Sequence, residues 1–177
     1  DPRVVGQIGL NAIDIIAAGE LLWERFFNDN AYLKALQDCI RQLGLKASVH
    51  AQLSRFVQMP ETTIKQSADR EIELLARIAK RLGCWCVSFD VLSKYCCEES
   101  AADSINDTNA VLLEKISKIC DEQGLDVAFE NLPWGAGSCD SPEKMRELKR
   151  NVSAPNLGFL IDVGHVHIRE KWTIDDY

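Results

Sequence analysis

Residues 111–130, VLLEKISKICDEQGLDVAFE, contain the pattern that decides the fold class. Their apolar side chains at Val111, Leu112, Ile116, Ile119 and Cys120 recur at helical spacing, behind a cap region at residues 107–109. Gly124 follows and is predicted to end this helix, because glycine tolerates the positive φ found just past many helix ends. The short apolar run at residues 125–129 is typical of a strand. The stretch therefore predicts a helix, a glycine stop and a strand in succession.

The same unit recurs along the chain, with glycines at 44, 83 and 124 spaced 39 and 41 residues apart. The predicted helices cover residues 31–43, 64–82 and 111–120 and a segment capped by Ser141 with Pro142 as its first residue; the predicted strands cover 5–10, 45–50, 84–89, 125–129 and 157–161. Alternating helices and strands at this period predict parallel strands joined by crossover helices. The fold class is α/β.

Three architectures are consistent with such a repeat. Solenoids with repeats of about forty residues are built from helix pairs or sheet blades rather than from this alternation. An open doubly wound sheet usually carries a glycine-rich phosphate loop after its first strand, and the sequence has neither GxGxxG nor GxxxxGK[ST]. A (β/α)₈ TIM barrel places its functional residues at the carboxyl ends of the strands, which is where the polar residues fall here. The barrel is therefore favoured.

Composition narrows the function classes. The chain has 177 residues, 46% of them hydrophobic, and a formal charge of −7, which excludes collagen, a disordered tail and a disulfide miniprotein. No apolar run is long enough for a membrane span, and the acidic balance disfavours binding to a nucleic-acid backbone. Seven cysteines without zinc-knuckle or redox spacing favour reduced, buried thiols in a cytoplasmic protein.

Polar residues stand where the predicted strands end. His50, Asp90 and Glu130 follow three successive strands, and Asp162 with His165 follows the last. Neighbouring parallel strands lie about 4.8 Å apart, so we expect Glu130 and Asp162 to share one ion if their strands are adjacent. Carboxylates and imidazoles together suit Mn²⁺, Zn²⁺, Co²⁺ or Mg²⁺.

These candidates do not have equal weight. Glu130 and Asp162 follow almost wholly apolar strands, where an unpaired carboxylate is costly, so a ligand or catalytic base is favoured. His50 is evenly balanced between a site role and a satisfied hydrogen-bond donor. We interpret Asp90 as a turn or cap residue, and we expect His167 to point away from the site.

Several motifs, in this order, resemble those of the xylose isomerase-like TIM-barrel superfamily. The resemblance extends from about residue 5 to residue 168 and rests on Ser48-Val49-His50-Ala51, Glu130-Asn131-Leu132-Pro133, Ser141-Pro142-Glu143, Pro155-Asn156-Leu157-Gly158 and Asp162-Val163-Gly164-His165. That superfamily includes sugar and sugar-phosphate isomerases and epimerases, and the apurinic endonucleases.

The resemblance implies a divalent metal at the carboxyl end of the barrel. Glu130 would be a metal ligand and, in the epimerase branch, also one of two acid/base carboxylates; Asp162 would be a second ligand. His165 would contact substrate in the epimerase branch or a further metal in the endonuclease branch. His50 would line the pocket or, in the endonuclease branch, bind zinc. Trp134 is a candidate for stacking on a sugar face, with packing under a loop as the alternative.

We therefore expect metal-dependent isomerisation or epimerisation of a small sugar or related polyhydroxy compound, by proton abstraction next to a carbonyl. Phosphodiester hydrolysis on damaged DNA is one alternative. It is disfavoured by the charge and by Ser88-Phe89-Asp90, where the endonuclease branch has a metal-binding histidine. A non-catalytic barrel relic is the other alternative.

Length leads to a further expectation. Five strands and four connecting helices are predicted, whereas a closed barrel has eight of each in about 250 residues. Since Ile8-Gly9-Leu10 resembles the second strand of the family, we expect one unit to be missing before Asp1 and two after Tyr177. Further metal ligands and the second catalytic carboxylate would lie beyond Tyr177. We expect the segment to be poorly soluble alone or to complete itself through another chain, such as a second copy.

Overall fold

The computed structural model describes residues 11–17, 20–54, 61–94, 105–133, 135–168 and 172–177. The strands are β1 (Ala12–Ile16), β2 (Lys46–Gln52), β3 (Cys86–Asp90), β4 (Asp126–Glu130) and β5 (Leu157–Leu160). The helices are α1 (Glu20–Asn28), α2 (Asn30–Gln42), α3 (Glu61–Leu82), α4 (Ile105–Asp121), α5 (Pro142–Asn151) and the short α6 (Val163–His167), followed by a 3₁₀ turn at Ile174–Asp176.

The strands form one parallel sheet in the order β1-β2-β3-β4-β5. Each strand therefore pairs with its neighbours along the chain, and helices make the crossovers. Ile16 pairs with His50 and His50 with Ser88, while Glu130 pairs with Leu160 at the carboxyl ends of β4 and β5. This confirms the predicted α/β class and matches part of a (β/α)₈ barrel.

The three predicted glycine stops are confirmed. Gly44, Gly83 and Gly124 have φ values of +61°, +78° and +66°, in the left-handed region that favours glycine. The next residue always bonds back across the helix end, with Leu45 N to Ile40 O, Cys84 N to Ala79 O and Leu125 N to Cys120 O at 2.9–3.0 Å. This is the Schellman arrangement, and its repetition sets the same turn between helix and strand in three successive units.

The two faces of the sheet differ in chemistry. Val49, Val87, Phe89, Val127 and Phe129 are fully buried beneath the helices. The residues that alternate with them point to the opposite face, because side chains along a strand alternate in direction. That opposite face presents Ser48, His50, Ser88, Asp90 and Glu130, so it is the face on which a site can form.

Asp140 holds the loop that follows β4. Its carboxylate accepts hydrogen bonds from Gly135 N at 3.1 Å, from Gly137 N at 2.8 Å and from Lys144 Nζ at 2.8 Å. Burial raises the pKa of Asp140, but Lys144 and the two backbone N–H groups outweigh it and hold the pKa below its ordinary value. The loop is thereby tied to the first turn of α5, whose predicted cap Ser141 accepts from Lys144 N at 3.3 Å.

Some elements differ from those predicted. The first strand of the structure is Ala12–Ile16, whereas the strand predicted at residues 5–10 lies outside the described residues. Helices α1 and α6 were not predicted. Helix α4 begins at Ile105, so residues 107–109 lie within its first turns instead of capping it, and the Asn109 amide bonds Leu92 N and O instead.

The prediction of buried thiols is confirmed for four of the five cysteines in the described residues, whereas Cys39 is half-buried. Cys84, Cys86, Cys120 and Cys139 are buried and free, and burial raises the pKa of each thiol to about 12. Separately, every helix within the described ranges is too short or too polar to cross a membrane.

Candidate functional site

A cleft of about 440 Å³ opens at the carboxyl ends of the strands. Its lining combines acids and imidazoles with an amide and two aliphatic side chains: Asp14, Ile16, His50, Gln52, Asp90, Glu130, Leu160, Asp162 and His165. All five strands or the turns that follow them contribute, because parallel strands bring their carboxyl ends to one edge of the sheet. Residues up to 151 positions apart in sequence therefore share one surface, from Asp14 to His165.

Glu130 lies at the centre of the cleft. It is the last residue of β4 and is only 6% exposed. Its Oε2 lies 3.6 Å from His50 Nε2 and its Oε1 lies 3.2 Å from His165 Nδ1. Burial, with added repulsion from Asp90 and Asp162, raises the pKa of Glu130 to about 8, against the opposing charge of His50. Glu130 is thus a carboxyl group whose protonation changes near neutral pH.

His50 connects β2 to the acids around it. Its Nε2 lies 3.4 Å from Asp90 Oδ2, and its Nδ1 lies 3.0 Å from Ser88 Oγ and 3.8 Å from Asp14 Oδ2. Burial lowers the pKa of His50, but the carboxylates of Asp90, Glu130 and Asp14 outweigh burial and raise it. Conversely, the hydrogen bond and charge of His50 outweigh burial at Asp90 and lower the pKa of that carboxyl.

Asp162 caps the short helix α6 and reaches the cleft from there. Its Oδ1 accepts from Gly164 N at 2.6 Å and from His165 N at 3.3 Å, while its Oδ2 lies 3.8 Å from His165 Nδ1. Burial raises the pKa of Asp162, but the two backbone N–H groups and His165 outweigh it and lower the pKa. This carboxylate is therefore ionised across the neutral range.

His165 is held by one ring nitrogen. Its Nδ1 lies 2.8 Å from the backbone oxygen of Asn131, and a carbonyl oxygen can only accept a hydrogen bond. Nδ1 must therefore carry the proton. In the neutral ring Nε2 then holds the lone pair and is the nitrogen available to a ligand.

Two groups of three donors meet at Glu130. One consists of His50, Asp90 and Glu130 and the other of Glu130, Asp162 and His165, and within each group the ligand atoms lie within 4.8 Å of one another. Carboxylate oxygens with imidazole nitrogens are donors that Zn²⁺, Mn²⁺ and similar ions accept. The neighbouring carboxylates that help to raise the pKa of Glu130 repel one another, and a bound cation would offset this repulsion. The residues present therefore fit a divalent ion.

The structure brings His50, Glu130, Asp162 and His165 into one cleft, as their positions at strand ends predicted. Their individual roles stay predictions. Trp134 lies outside the described residues, and His167 is exposed and does not line this cleft.

Two acidic residues of the cleft, Asp90 and Asp14, were not predicted as site residues from the sequence. The interpretation of Asp90 as a turn or cap residue is wrong, because β3 extends through Asp90 and the register with β2 sets its carboxylate against His50. Asp14 is absent from the residues that the sequence predicts for the site. Its signal is an acidic residue between Ile13 and Ile15 in an otherwise apolar strand, which puts its side chain on the cleft face, where it accepts from Ser48 Oγ at 2.6 Å.

Comparison with known proteins identifies the family of this chain. Residues 2–176 match the family described as the xylose isomerase-like TIM barrel. The chain belongs to this family. The resemblance inferred from the Glu130 and Asp162 motifs is thereby confirmed.

Among curated proteins, an uncharacterized protein of Methanocaldococcus jannaschii is 31% identical over 64 residues, which are 36% of this chain and 22% of that protein. Among solved structures, D-psicose 3-epimerase with D-tagatose from Clostridium cellulolyticum H10 is similar, with a TM-score of 0.79 at 14% identity. The match covers 99% of this chain and 61% of the epimerase chain. The IolI protein with a bound zinc atom has a TM-score of 0.73 at 18% identity, with coverage of 93% and 57%.

A D-tagatose 3-epimerase-like protein is also similar, with a TM-score of 0.71 at 20% identity, over 93% of this chain and 60% of that one. At these identities the likeness establishes the fold. The chain spans 57–61% of the length of these three structures.

Proposed function

We propose that the cleft catalyses divalent-metal-dependent isomerisation or epimerisation of a sugar or related polyhydroxy compound. The observation that carries the proposal is the position of Glu130, a buried carboxyl group shared by two sets of side chains that could ligate a metal ion. Structures of sugar 3-epimerases and of zinc-bound IolI support it, because they share the fold of this chain.

Glu130 and Asp162 are the proposed metal ligands, with His165 in reach of the same ion. A bound divalent ion supplies Lewis-acid polarisation of carbonyl and hydroxyl oxygens. Glu130 Oε1 and Asp162 Oδ2 both lie within 4 Å of His165 Nδ1, so the two carboxylates face the same part of the cleft. Because Nδ1 is committed to Asn131 O, His165 acts through Nε2, as acceptor from a substrate hydroxyl in the isomerase and as ligand in a hydrolase.

Glu130 is the proposed base that removes the proton next to the substrate carbonyl. A carboxylate that faces the cleft can take up this proton and return it, which an isomerisation requires. The remaining lining suits a polyhydroxy compound, since Gln52 and Asp14 offer hydrogen-bonding groups to hydroxyls. Ile16 and Leu160 add apolar walls that limit water beside the reacting carbon. His50 is placed to orient substrate from the other side of Glu130.

One observation favours a second candidate. The His50, Asp90 and Glu130 group could hold a second ion, and paired ions sharing a carboxylate are typical of phosphodiester hydrolases. The four acids around the cleft oppose a polyanionic substrate, so we rank hydrolysis of a phosphodiester below sugar isomerisation.

Metal content and proton exchange test the proposal in the full-length protein. We expect stoichiometric Mn, Co or Zn that is lost in Glu130→Gln and in Asp162→Asn. The control is Asp38→Asn, which changes an exposed carboxylate paired with Lys34 and Arg41 on α2. Incubating the protein with ketohexoses in D₂O should incorporate deuterium at the carbon next to the carbonyl, and Glu130→Gln should abolish this exchange.

The outcomes separate the candidates. One ion per chain with deuterium exchange supports the isomerase, whereas two ions with cleavage of an abasic-site oligonucleotide support the hydrolase. A full-length protein that binds no divalent metal refutes both.

A further inference from the structure

We propose that Asn131 is a positioning residue that fixes Asp162 and His165 relative to Glu130. This inference rests on the proposed function, because it concerns the same cleft. Asn131 follows Glu130 directly in the chain and is fully buried, at 0% exposure. Its polar groups are directed at β5 and the turn after it.

The side-chain amide of Asn131 takes the place of a peptide group. Its Oδ1 accepts from Asp162 N at 2.6 Å and its Nδ2 donates to Asp162 O at 3.1 Å. These are the two bonds that a neighbouring strand would offer to the backbone of Asp162. Since β5 ends at Leu160, the amide extends the pairing between β4 and β5 beyond the end of the sheet.

The backbone of Asn131 completes the attachment. Its N–H donates to Leu160 O at 3.2 Å, and its carbonyl oxygen accepts from His165 Nδ1 at 2.8 Å. One residue thus holds the last residue of β5, the backbone of Asp162 and the ring of His165.

This arrangement matters because Asp162 lies past the end of the strand, in a turn, with a side chain that is 41% exposed. Packing alone therefore does little to hold its carboxylate. The bonds from Asn131 keep it near Glu130, and the carbonyl of Asn131 fixes which nitrogen of His165 faces a ligand. Outer-shell partners of this kind typically contribute 10- to 100-fold to metal affinity.

The test compares Asn131→Ala with Asn156→Ala in the full-length protein. Asn156 also makes two amide hydrogen bonds, to Ser117 O and Leu125 O at 3.0 Å each, but it lies at the amino end of β5, away from the cleft. Both variants should lower the urea midpoint. Titration calorimetry with Mn²⁺ should show a 10- to 100-fold weaker affinity for Asn131→Ala and an affinity within twofold of the parent for Asn156→Ala.

Two further measurements need no metal. Amide hydrogen exchange at Asp162 should be slow in the parent and at least tenfold faster in Asn131→Ala. The ¹⁵N spectrum of the parent protein should show the neutral His165 ring protonated on Nδ1. The opposite tautomer overturns the inference even if Asn131→Ala fails to fold.

Equal loss of Mn²⁺ affinity in the two variants, or an unchanged affinity in Asn131→Ala, also overturns it. A parent protein that binds no Mn²⁺ refutes the proposed function instead. The positioning inference is then decided by the exchange rate of Asp162 and the tautomer of His165.

Discussion

Replacing Gly164 by alanine tests how tightly the turn after β5 holds the Asp162 carboxylate. A Cβ at position 164 would lie 2.9 Å from Asp162 Oδ1, whereas ordinary contact begins at 3.4 Å. The carboxylate would have to retreat by about half an ångström or rotate away. A retreat of that size lengthens the 2.6 Å hydrogen bond from Gly164 N to Oδ1 to about 3.1 Å, whereas a rotation breaks it. The variant therefore displaces a proposed metal ligand without altering its chemistry.

The expected effects on stability and on metal binding differ. Losing the cap costs about 1 kcal/mol, and alanine in place of glycine within a helix returns about 1 kcal/mol. The free energy of unfolding should therefore stay within about 1 kcal/mol of the parent value. Mn²⁺ affinity should fall at least about tenfold, because the carboxylate no longer meets Glu130 in the arrangement that the ion requires.

Titration calorimetry with Mn²⁺ and urea denaturation measure the two quantities on the same samples. Gly158→Ala is the matched control, because its Cβ would meet Val127 O at 3.9 Å, an ordinary contact. Its Mn²⁺ affinity should remain within about twofold of the parent value, because the added Cβ displaces no side chain of the cleft. A Gly164→Ala protein that binds Mn²⁺ as tightly as the parent would refute Asp162 as a ligand.

Other predictions concern the scaffold. Asp140→Ala should lower the free energy of unfolding by about 2–4 kcal/mol near pH 7, since it leaves two backbone N–H groups and Lys144 without their acceptor. The pKa of Asp140 is lower in the folded protein than its unfolded value of about 3.9. This stabilisation is therefore fully present above the unfolded pKa and is lost as pH falls through the folded pKa. The urea denaturation curves of the parent and the variant should converge in acid. Persistence of the full difference at low pH would contradict this. Gly83→Ala, at φ +78°, should cost about 1 kcal/mol in the same assay, and an unchanged midpoint would show that the turn relaxes. Ellman's reagent should leave the four buried thiols unreacted at pH 8 and react with all seven in denaturant, and fast reaction of more than three native thiols would show that burial does not protect them.

Four of the five strands, β2 to β5, could be predicted from the sequence because their signals are local. Three helix ends are determined by a glycine at positive φ and one backward hydrogen bond, so Gly44, Gly83 and Gly124 mark the units without any knowledge of their neighbours. The Ser141 cap and Pro142 are equally local. Helix α1 lacked such a signal, since its apolar residues at Leu21, Leu22, Phe26 and Phe27 are adjacent in pairs and no glycine stop follows.

The site could be predicted only in part because it depends on register. Glu130, Asp162 and His165 follow apolar strands, and that position marks them in the sequence. Asp90 also ends a strand, but only the pairing of Gln52 with Asp90 brings its carboxylate to His50. Asp14 depends on β1 pairing with β2, so its place in the cleft follows from strand order and not from its neighbours in sequence.

Strand order also determines when the cleft can assemble during synthesis. His50 precedes Asp162 by 112 positions, and translation at about 5–20 residues per second separates their appearance by roughly 6–22 seconds. A nascent chain in that interval displays His50 and Asp90 on an open edge without the partners that β5 supplies. Under the proposed function, the metal ion therefore binds late in synthesis. It stabilises only chains in which β5 has paired with β4. Binding of the ion would then distinguish chains whose sheet has formed through β5 from chains whose sheet has not.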